Sequence, residues 1–292
     1  MIIKFHSSFS TYLSFFQNLI IRVGLAAMEW EWLKEFGKSM IKPLLGLSVL
    51  AIGLVMSYFQ KLGLVRETAC SILRASVQLL LIGFVLHYLF NLHTKVWMLG
   101  VYLFMTCVAG YTAGQRAEHV PRGKYVAGIS IFAGTSVTLF VLIMLRTIPF
   151  TARYVIPIAG LMVGNTMRVT GITMKRLRDD IRMQKALVET ALALGATPRE
   201  ATLQLVKRSL IIALCPTLDN AKTIGLVSLP GAMSGLILGG ASPLEAIRIQ
   251  LVIMNMVIGS GTVSSIVSTH LSRSSFFTEA YQLQTTVFNV SD

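Results

Sequence analysis

The sequence predicts an all-α polytopic membrane protein, with about seven transmembrane helices, short connections and one cytoplasmic helical hairpin. Three observations carry that prediction. The first is composition: 54% of the 292 residues are hydrophobic and only 13% are charged, about half the share in a soluble domain. The mean hydropathy is +0.68. The second is a series of apolar runs near the ~20 residues a bilayer-crossing helix requires. The third is charge: 26 Lys and Arg against 13 Asp and Glu give a net +13, and the excess gathers in short loops, as it does at the cytoplasmic face of membrane proteins. A water-facing enzyme and disordered or fibrous classes are excluded. Nucleic-acid binding is excluded too, because the basic residues are spread among membrane-flanking loops instead of forming one stripe.

Taken in order, residues 1–27 form a Ser- and Phe-rich extension bracketed by Lys4 and Arg22, either a targeting peptide or a dispensable lead ahead of Met28. Residues 28–40 read as an interfacial helix, with Trp30 and Trp32 at headgroup level. A single membrane domain over 41–288 follows, then a tail at 289–292. Its spans are Ile41–Phe59, Ala69–Phe90, Val96–Gly110, Tyr125–Leu145, Tyr154–Ile172, the long stretch Leu210–Leu238, and Leu244 to about Thr269. Eight basic residues in 173–209 place that loop in the cytoplasm. Alternation then puts 60–68, 111–124 and the C-terminal end on the same side, against the N-terminal Lys34, Lys38 and Lys42. Cys70, Cys107 and Cys215 have no paired spacing and read as small buried hydrophobes.

The hairpin is the most informative stretch. Met174, Leu177, Ile181, Val188 and Leu192 share one helix face, with charges opposite. Gly195 suits the left-handed position that ends a helix. Thr197-Pro198-Arg199-Glu200 then starts another: Thr197 is N-cap, Pro198 stands at N1, and Glu200 closes a capping box. So sharply terminated a half-apolar hairpin suits a docking surface.

A helix from Pro198 to Leu229 would hold 32 residues, about 48 Å at 1.5 Å per residue against a ~30 Å hydrocarbon core. It must therefore protrude, bend at Pro216 or break at Leu229-Pro230-Gly231. Gly231, Gly235 and Gly239 follow at i+4, and Gly160 and Gly164 repeat the spacing on the fifth span, where small residues let helices approach closely. Gly160, Gly164, Gly235 and Gly239 are the expected packing positions. Gly239-Gly240 ends this segment and Ser242-Pro243-Leu244-Glu245 repeats the capping-box logic.

Ionisable residues inside spans are functional candidates by default. Arg74, Arg168, Lys222 and Arg248 stand against Asp219 alone. Asp219 and Lys222 have the spacing to pair on one helix face. Gln78, Asn165 and Asn255 add uncharged polar groups. The candidate pathway is thus Arg74, Gln78, Asn165, Arg168, Asp219 and Lys222, with Pro230 and Gly231 at the break. Its positive bias suits an anion better than a bare metal cation, which would prefer carboxylates or soft ligands at regular spacing. Met254-x-Met256 is one weak soft-ligand pair.

Glu189-Thr190-Ala191-Leu192-Ala193-Leu194-Gly195-Ala196-Thr197-Pro198 resembles the EAA-type coupling loop of ABC-transporter permeases, which in that family seats in a groove of the ATPase subunit. Further stretches narrow the match: Pro121-Arg122-Gly123-Lys124-Tyr125, Ile156-Pro157-Ile158-Ala159-Gly160, Gly164-Asn165, Leu177-Arg178-Asp179-Asp180, Gly225 to Met233 and Gly240 to Ala246. Together they are similar to the plant aluminium-sensitivity half-transporter permeases and the bacterial FetB-type iron-export permeases, over about 28–288. Two departures stand out: Thr190 occupies the second place of the EAA triplet, and Pro216 lies further from Gly195 than in importers.

The resemblance implies a multi-pass permease in the plasma membrane or an endomembrane, two copies joining two separate ATP-binding subunits. It implies coupling through Arg178, Asp179, Asp180, Glu189, Ala191, Gly195, Ala196, Thr197 and Pro198. The plant members imply UDP-glucose handling in aluminium tolerance, the bacterial members iron export. Arg74, Arg168 and Lys222 are the candidate phosphate contacts. The sequence has no GxxxxGK[ST]; the nearest fragment is Gly37-Lys38-Ser39, with Trp32 where the first glycine would stand. It has no LSGGQ-like signature, catalytic triad or metal-ligand spacing. The expectation is a transport subunit, not an enzyme, with no cofactor of its own and ATP-Mg bound by the partner. A partner-independent carrier or channel, or a scaffold that moves nothing, is the competing reading.

Overall fold

Polar side chains are buried and large apolar ones exposed along the same helices: Ser130, Thr135, Thr166, Thr170, Ser260 and Ser264 are fully enclosed, while Val137, Phe140 and Ile266 face outward. That inversion is what a lipid solvent selects, since hydroxyls find hydrogen-bond partners in and between helices and none among lipid tails. The computed structural model describes residues 46–61, 63–91, 95–117, 120–147, 150–278 and 281–284. The extension 1–27, the interfacial helix 28–40 and the tail 289–292 lie outside the described residues.

The chain divides into two compact units, Met1–His93 and Thr94–Asp292. The first holds α1 (Leu47–Phe59) and α2 (Val65–Asn91), which pack on each other. Their turn uses left-handed backbone at Lys61 and Gly63.

The second unit holds α3 (Lys95–Arg116), α4 (Gly123–Met144), α5 (Ala152–Met183), α6 (Lys185–Ala193), α7 (Pro198–Thr223), α8 (Gly231–Leu238) and α9 (Pro243–Phe276). Five helices in the described residues are long and apolar enough to cross a bilayer: Trp97–Arg116, Gly123–Met144, Tyr154–Met183, Pro198–Thr223 and Pro243–Phe276. The protein is all-helical and polytopic, as expected. Helix α8, of eight residues, is only about 12 Å long and does not cross by itself.

Helix α9 packs along α4 and α5, α3 along α4 and α5, and α7 along α5 and α9. Hydroxyls stitch the α5–α9 seam, with Thr166 Oγ1 donating to Ser260 Oγ at 3.1 Å. On α3, Tyr102 OH lies 2.7 Å from Thr135 Oγ1 of α4. The tightest crossings are glycine crossings. A Cβ on Gly110 would lie 2.5 Å from Gly128 Cα, and one on Gly134 would lie 2.6 Å from the Ser260 carbonyl; Gly114 abuts Lys124 in the same way. Among the described residues, the expected packing glycines make no comparably close approach to another helix's backbone. A Cβ on Gly164 or Gly235 meets open space, Gly160 faces only Met105 at 3.8 Å, and Gly239 faces its own helix. The i+4 spacing identifies a smooth face, but only a neighbouring backbone makes it a contact.

Ala113, Ala117, Val120, Met174, Leu177, Ile181, Val188, Leu205 and Phe276 form one apolar cluster. Residues of segments 111–124 and 173–209 and of the end of α9 thus share one cluster. After α9 the chain turns back, and Phe277 and Leu283 close over the cluster.

Three further expectations need correction. Cys70, Cys107 and Cys215 are exposed, not buried, because an apolar sequence context in a membrane helix is as readily the lipid face as the core. Met254 and Met256 point apart: Met254 lines a cavity, while Met256 is enclosed with Met162 and Ile253, as residues two apart on a helix must be. The hairpin's first helix is not continuous from 174 to 194, since Gln184 leaves helical geometry at φ −108°, ψ 27° and divides α5 from α6.

Candidate functional site

The hairpin α6–α7 ends and begins on locked backbone. Gly195 sits at φ +92°, its N–H bonds to Leu192 O, and Ala196 N–H reaches back to Ala191 O, both at 3.0 Å. That pair of bonds is a Schellman motif. One residue on, the Thr197 hydroxyl accepts from Glu200 N–H, and the Glu200 carboxylate accepts from Thr197 N–H at 2.9 Å. Both halves of the expected capping box are present, with Pro198 at N1. The device recurs before α9: Gly240 lies at φ +93° and Ala241 N–H bonds to Leu236 O. There the Ser242 hydroxyl accepts from Glu245 N–H at 3.3 Å, which is one half of the box.

Ahead of the first lock, α6 and the end of α5 expose apolar side chains. Leu194 is 83% exposed, Leu187 67% and Met183 66%. Glu189 is half exposed and pairs with Lys185 at 3.7 Å. Thr190, Gly195 and Thr197 are also exposed, and Ala191, Ala196 and Pro198 partly so. The expected coupling residues therefore split into two groups. Arg178 is 7% exposed and Asp180 0%, so neither offers a docking surface. They lie in the hairpin's base, where Arg178 pairs with the more exposed Asp179 at 3.3 Å. Asp180 lies 3.3 Å from Arg176 Nε; the angles there are not those of a hydrogen bond, and the contact is Coulombic.

Helices α5 and α7, which carry the hairpin at their ends, wall a cavity of about 390 Å³. Its walls come from α5 (Leu161, Asn165, Arg168), α7 (Pro216, Thr217, Asn220) and α9 (Gln250, Met254, Val257), and Pro230, Gly231 and Ala232 enter it at the start of α8. Arg168 Nη2 donates to Asn165 Oδ1 at 2.6 Å, while Asn165 Nδ2 donates to Leu161 O at 2.9 Å. Among the described residues no carboxylate lines the cavity, and Arg168 is its charged member.

Four of the expected pathway residues thus come together: Asn165, Arg168, Pro230 and Gly231. Asp219 and Lys222 do not join them. Asp219 and Lys222 form an ion pair at 3.0 Å, with the Cys215 thiol donating to Asp219 Oδ2 at 3.1 Å. These three residues occupy the opposite face of α7 from Pro216, Thr217 and Asn220, so they do not line the cavity. Arg74 and Gln78 sit one turn apart on α2, in the other unit.

The break after α7 is where span length required one, but it starts earlier than Leu229. The helix stops at Thr223, and Gly225 turns left-handed at φ +83°. Gly225 N–H bonds to Ser228 O at 3.0 Å, and Pro230 then caps α8. Pro216 is accommodated inside α7. Sequence reasoning missed Gln250, Asn220 and Thr217. The signal was available in Thr217 and Asn220, which share a helix face with Pro216, but nothing local to Gln250 distinguishes it.

Fold and site define a class: an integral multi-pass membrane protein of helices, with a largely apolar cavity carrying a few polar side chains, walled by the helices that bear a sharply capped hairpin. The chain belongs to the uncharacterised protein family UPF0014, whose model matches residues 40–277. It is 62% identical over 261 residues to Protein ALUMINUM SENSITIVE 3 of Arabidopsis thaliana, covering 89% of this chain and 96% of that protein. It is 59% identical over 255 residues to UPF0014 membrane protein STAR2 of Oryza sativa subsp. japonica, covering 87% and 90%. Against the Probable iron export permease protein FetB of Escherichia coli (strain K12) it is 35% identical over 242 residues, covering 83% and 93%. No solved structure matches the chain.

Proposed function

We propose that this chain is the membrane-spanning permease subunit of an ABC transporter whose ATP-binding domain is a separate protein. Two copies pair with two ATPase subunits, each bound through the tip of the α6–α7 hairpin. One observation carries the reading: the exposed apolar tip at Leu187 and Leu194 is continuous with α5 and α7, the helices that wall the cavity. A stand-alone carrier has no use for a rigid, water-exposed apolar tip at that place. The E. coli relative, named as a probable permease, supports the same class.

The solute is UDP-glucose or a closely similar nucleotide sugar, moved in aluminium tolerance. Among the described residues the cavity's lining holds the cationic Arg168 and no carboxylate, which favours an anion. Similarity to a plant protein named for aluminium sensitivity points the same way. Iron export is the second reading, favoured by the name of the bacterial relative.

Reconstitution with a candidate ATPase in proteoliposomes tests both, with ATP-driven flux of UDP-glucose measured beside ferrous iron and aluminium complexes. UDP-glucose flux is expected; flux of metal alone overturns the solute assignment. Gly195→Pro and Glu189→Ala are expected to abolish co-purification of the ATPase, and association and flux that survive both overturn the coupling assignment.

A further inference from the structure

We infer that the cavity is a two-part ligand site, in which the start of α8 and Arg168 hold an anionic oxygen while Gln250 accepts a hydrogen bond from a donor on the same ligand. The inference deepens the permease reading and rests on it for its ligand class, a phosphorylated polyhydroxy solute.

The anionic part comes from the broken backbone. The first intrahelical bond of α8 runs from Ser234 N–H to Pro230 O at 2.9 Å, so the N–H groups of Gly231, Ala232 and Met233 have no acceptor within the helix. Pro230 carries no side-chain cap. Pro230, Gly231 and Ala232 reach the cavity, and a helix start combines oriented N–H groups with the positive end of the dipole. Nothing lies within 4 Å of where a Gly231 Cβ would stand, so a ligand can approach that backbone directly. Arg168 lines the same cavity. Its bond to Asn165 fixes the guanidinium and uses one of its five N–H donors.

The second part is a polar group that the fold leaves incomplete. Gln250 is 8% exposed and lines the cavity; its Oε1 is closed off from solvent and has no hydrogen-bond partner, and rotation about the soft terminal torsion of the amide turns it to the cavity. A buried acceptor of that kind is costly and rare in native proteins. A carbonyl oxygen accepts only, so the group that completes it must be a donor, a hydroxyl or an N–H. An inorganic anion fills the first part alone. A neutral sugar fills the second alone.

The test uses the full chain in nanodiscs, with binding followed by thermal unfolding midpoint and by titration calorimetry for UDP-glucose, inorganic pyrophosphate and glucose. UDP-glucose is expected to bind tightest, pyrophosphate more weakly and glucose negligibly. Gln250→Leu is expected to weaken UDP-glucose about tenfold or more, to leave pyrophosphate unchanged, and to melt no lower than the parent without ligand. Arg168→Gln is expected to weaken both anions. Gln250→Asn, which keeps the acceptor on a shorter stem, is expected to fall between parent and Leu variant. The site is overturned if the folded Leu variant binds UDP-glucose as the parent does, if both anions weaken in the same proportion, or if the parent binds no probe. ATP-driven flux separates this outcome from the permease reading. The expected binding pattern without flux supports the site and overturns the permease; flux with binding insensitive to Gln250 and Arg168 does the reverse.

Discussion

Thr170 Oγ1 on α5 lies 2.7 Å from Ser264 Oγ on α9, both side chains fully enclosed. One turn along each helix, Thr166 and Ser260 repeat the pair. Interhelical hydroxyl bonds of this kind contribute about 0.6 kcal/mol each, rarely above about 1.7. Thr170→Val and Ser264→Ala should each lower the unfolding midpoint in detergent. Their double variant should show a coupling near that size, and strict additivity would mean the bond contributes nothing.

Gly134→Ala should destabilise strongly, because the new methyl meets the Ser260 carbonyl and Ser264 backbone on α9. Forced repacking costs typically about 1–3 kcal/mol. Gly164→Ala and Gly235→Ala, which face open space in the single chain, should leave the monomer's melting unchanged. Equal effects at all three positions would contradict the α4–α9 crossing.

Thr197→Ala should cost about 1 kcal/mol through loss of the cap on α7. The box also sets a pH dependence outside the bilayer. The Thr197 backbone N–H, then its hydroxyl, hold the Glu200 carboxyl below its ordinary value. A group whose folded value is lowered stabilises fully above its unfolded value and loses that contribution as pH falls through the folded one. The gap between parent and Thr197→Ala melting should therefore be constant at neutral pH and narrow in acid. A gap that widens in acid would reverse the sign.

Leu194→Asp should leave the chain's own melting unchanged, since this side chain is exposed. It should remove association with the ATPase in pull-down. Asp180→Asn, inside the hairpin's base, should instead lower the melting midpoint.

Asp219→Asn leaves Lys222 without the carboxylate that meets it at 3.0 Å. Uncompensated charge within a span is unfavourable, so the amount of protein inserted into membranes should fall. The double variant Asp219→Lys with Lys222→Asp should recover it. Recovery in the swap with transport intact fits a pair that lies off the cavity; a pair that handled solute would lose flux when reversed.

The hairpin was legible because its signals are local. Gly195, Thr197, Pro198 and Glu200 act on backbone within a few residues of themselves, and the structure realises each of them. Charge spacing also foretold the Asp219–Lys222 pair, and span length foretold the break before α8. What the sequence withheld depends on neighbours distant along the chain. Gly134 is a contact only because α9 crosses α4 there, and Gln250 matters only because α5 and α7 enclose a cavity beside it. Arg178 and Asp180 look like solvated charges on an amphipathic helix, and only the folded chain encloses them.

Helix α5 runs 32 residues without interruption, from the membrane to the base of the hairpin. Arg168 lies fifteen residues before its end at Met183, about 22 Å along the axis. Such a shaft is a lever. A 10° tilt imposed at the hairpin displaces the cavity wall by about 4 Å over that length, comparable to the diameter of a hydroxyl-bearing carbon. Small rotations of a bound partner would thus be read out as the opening or closing of a space the size of one sugar substituent.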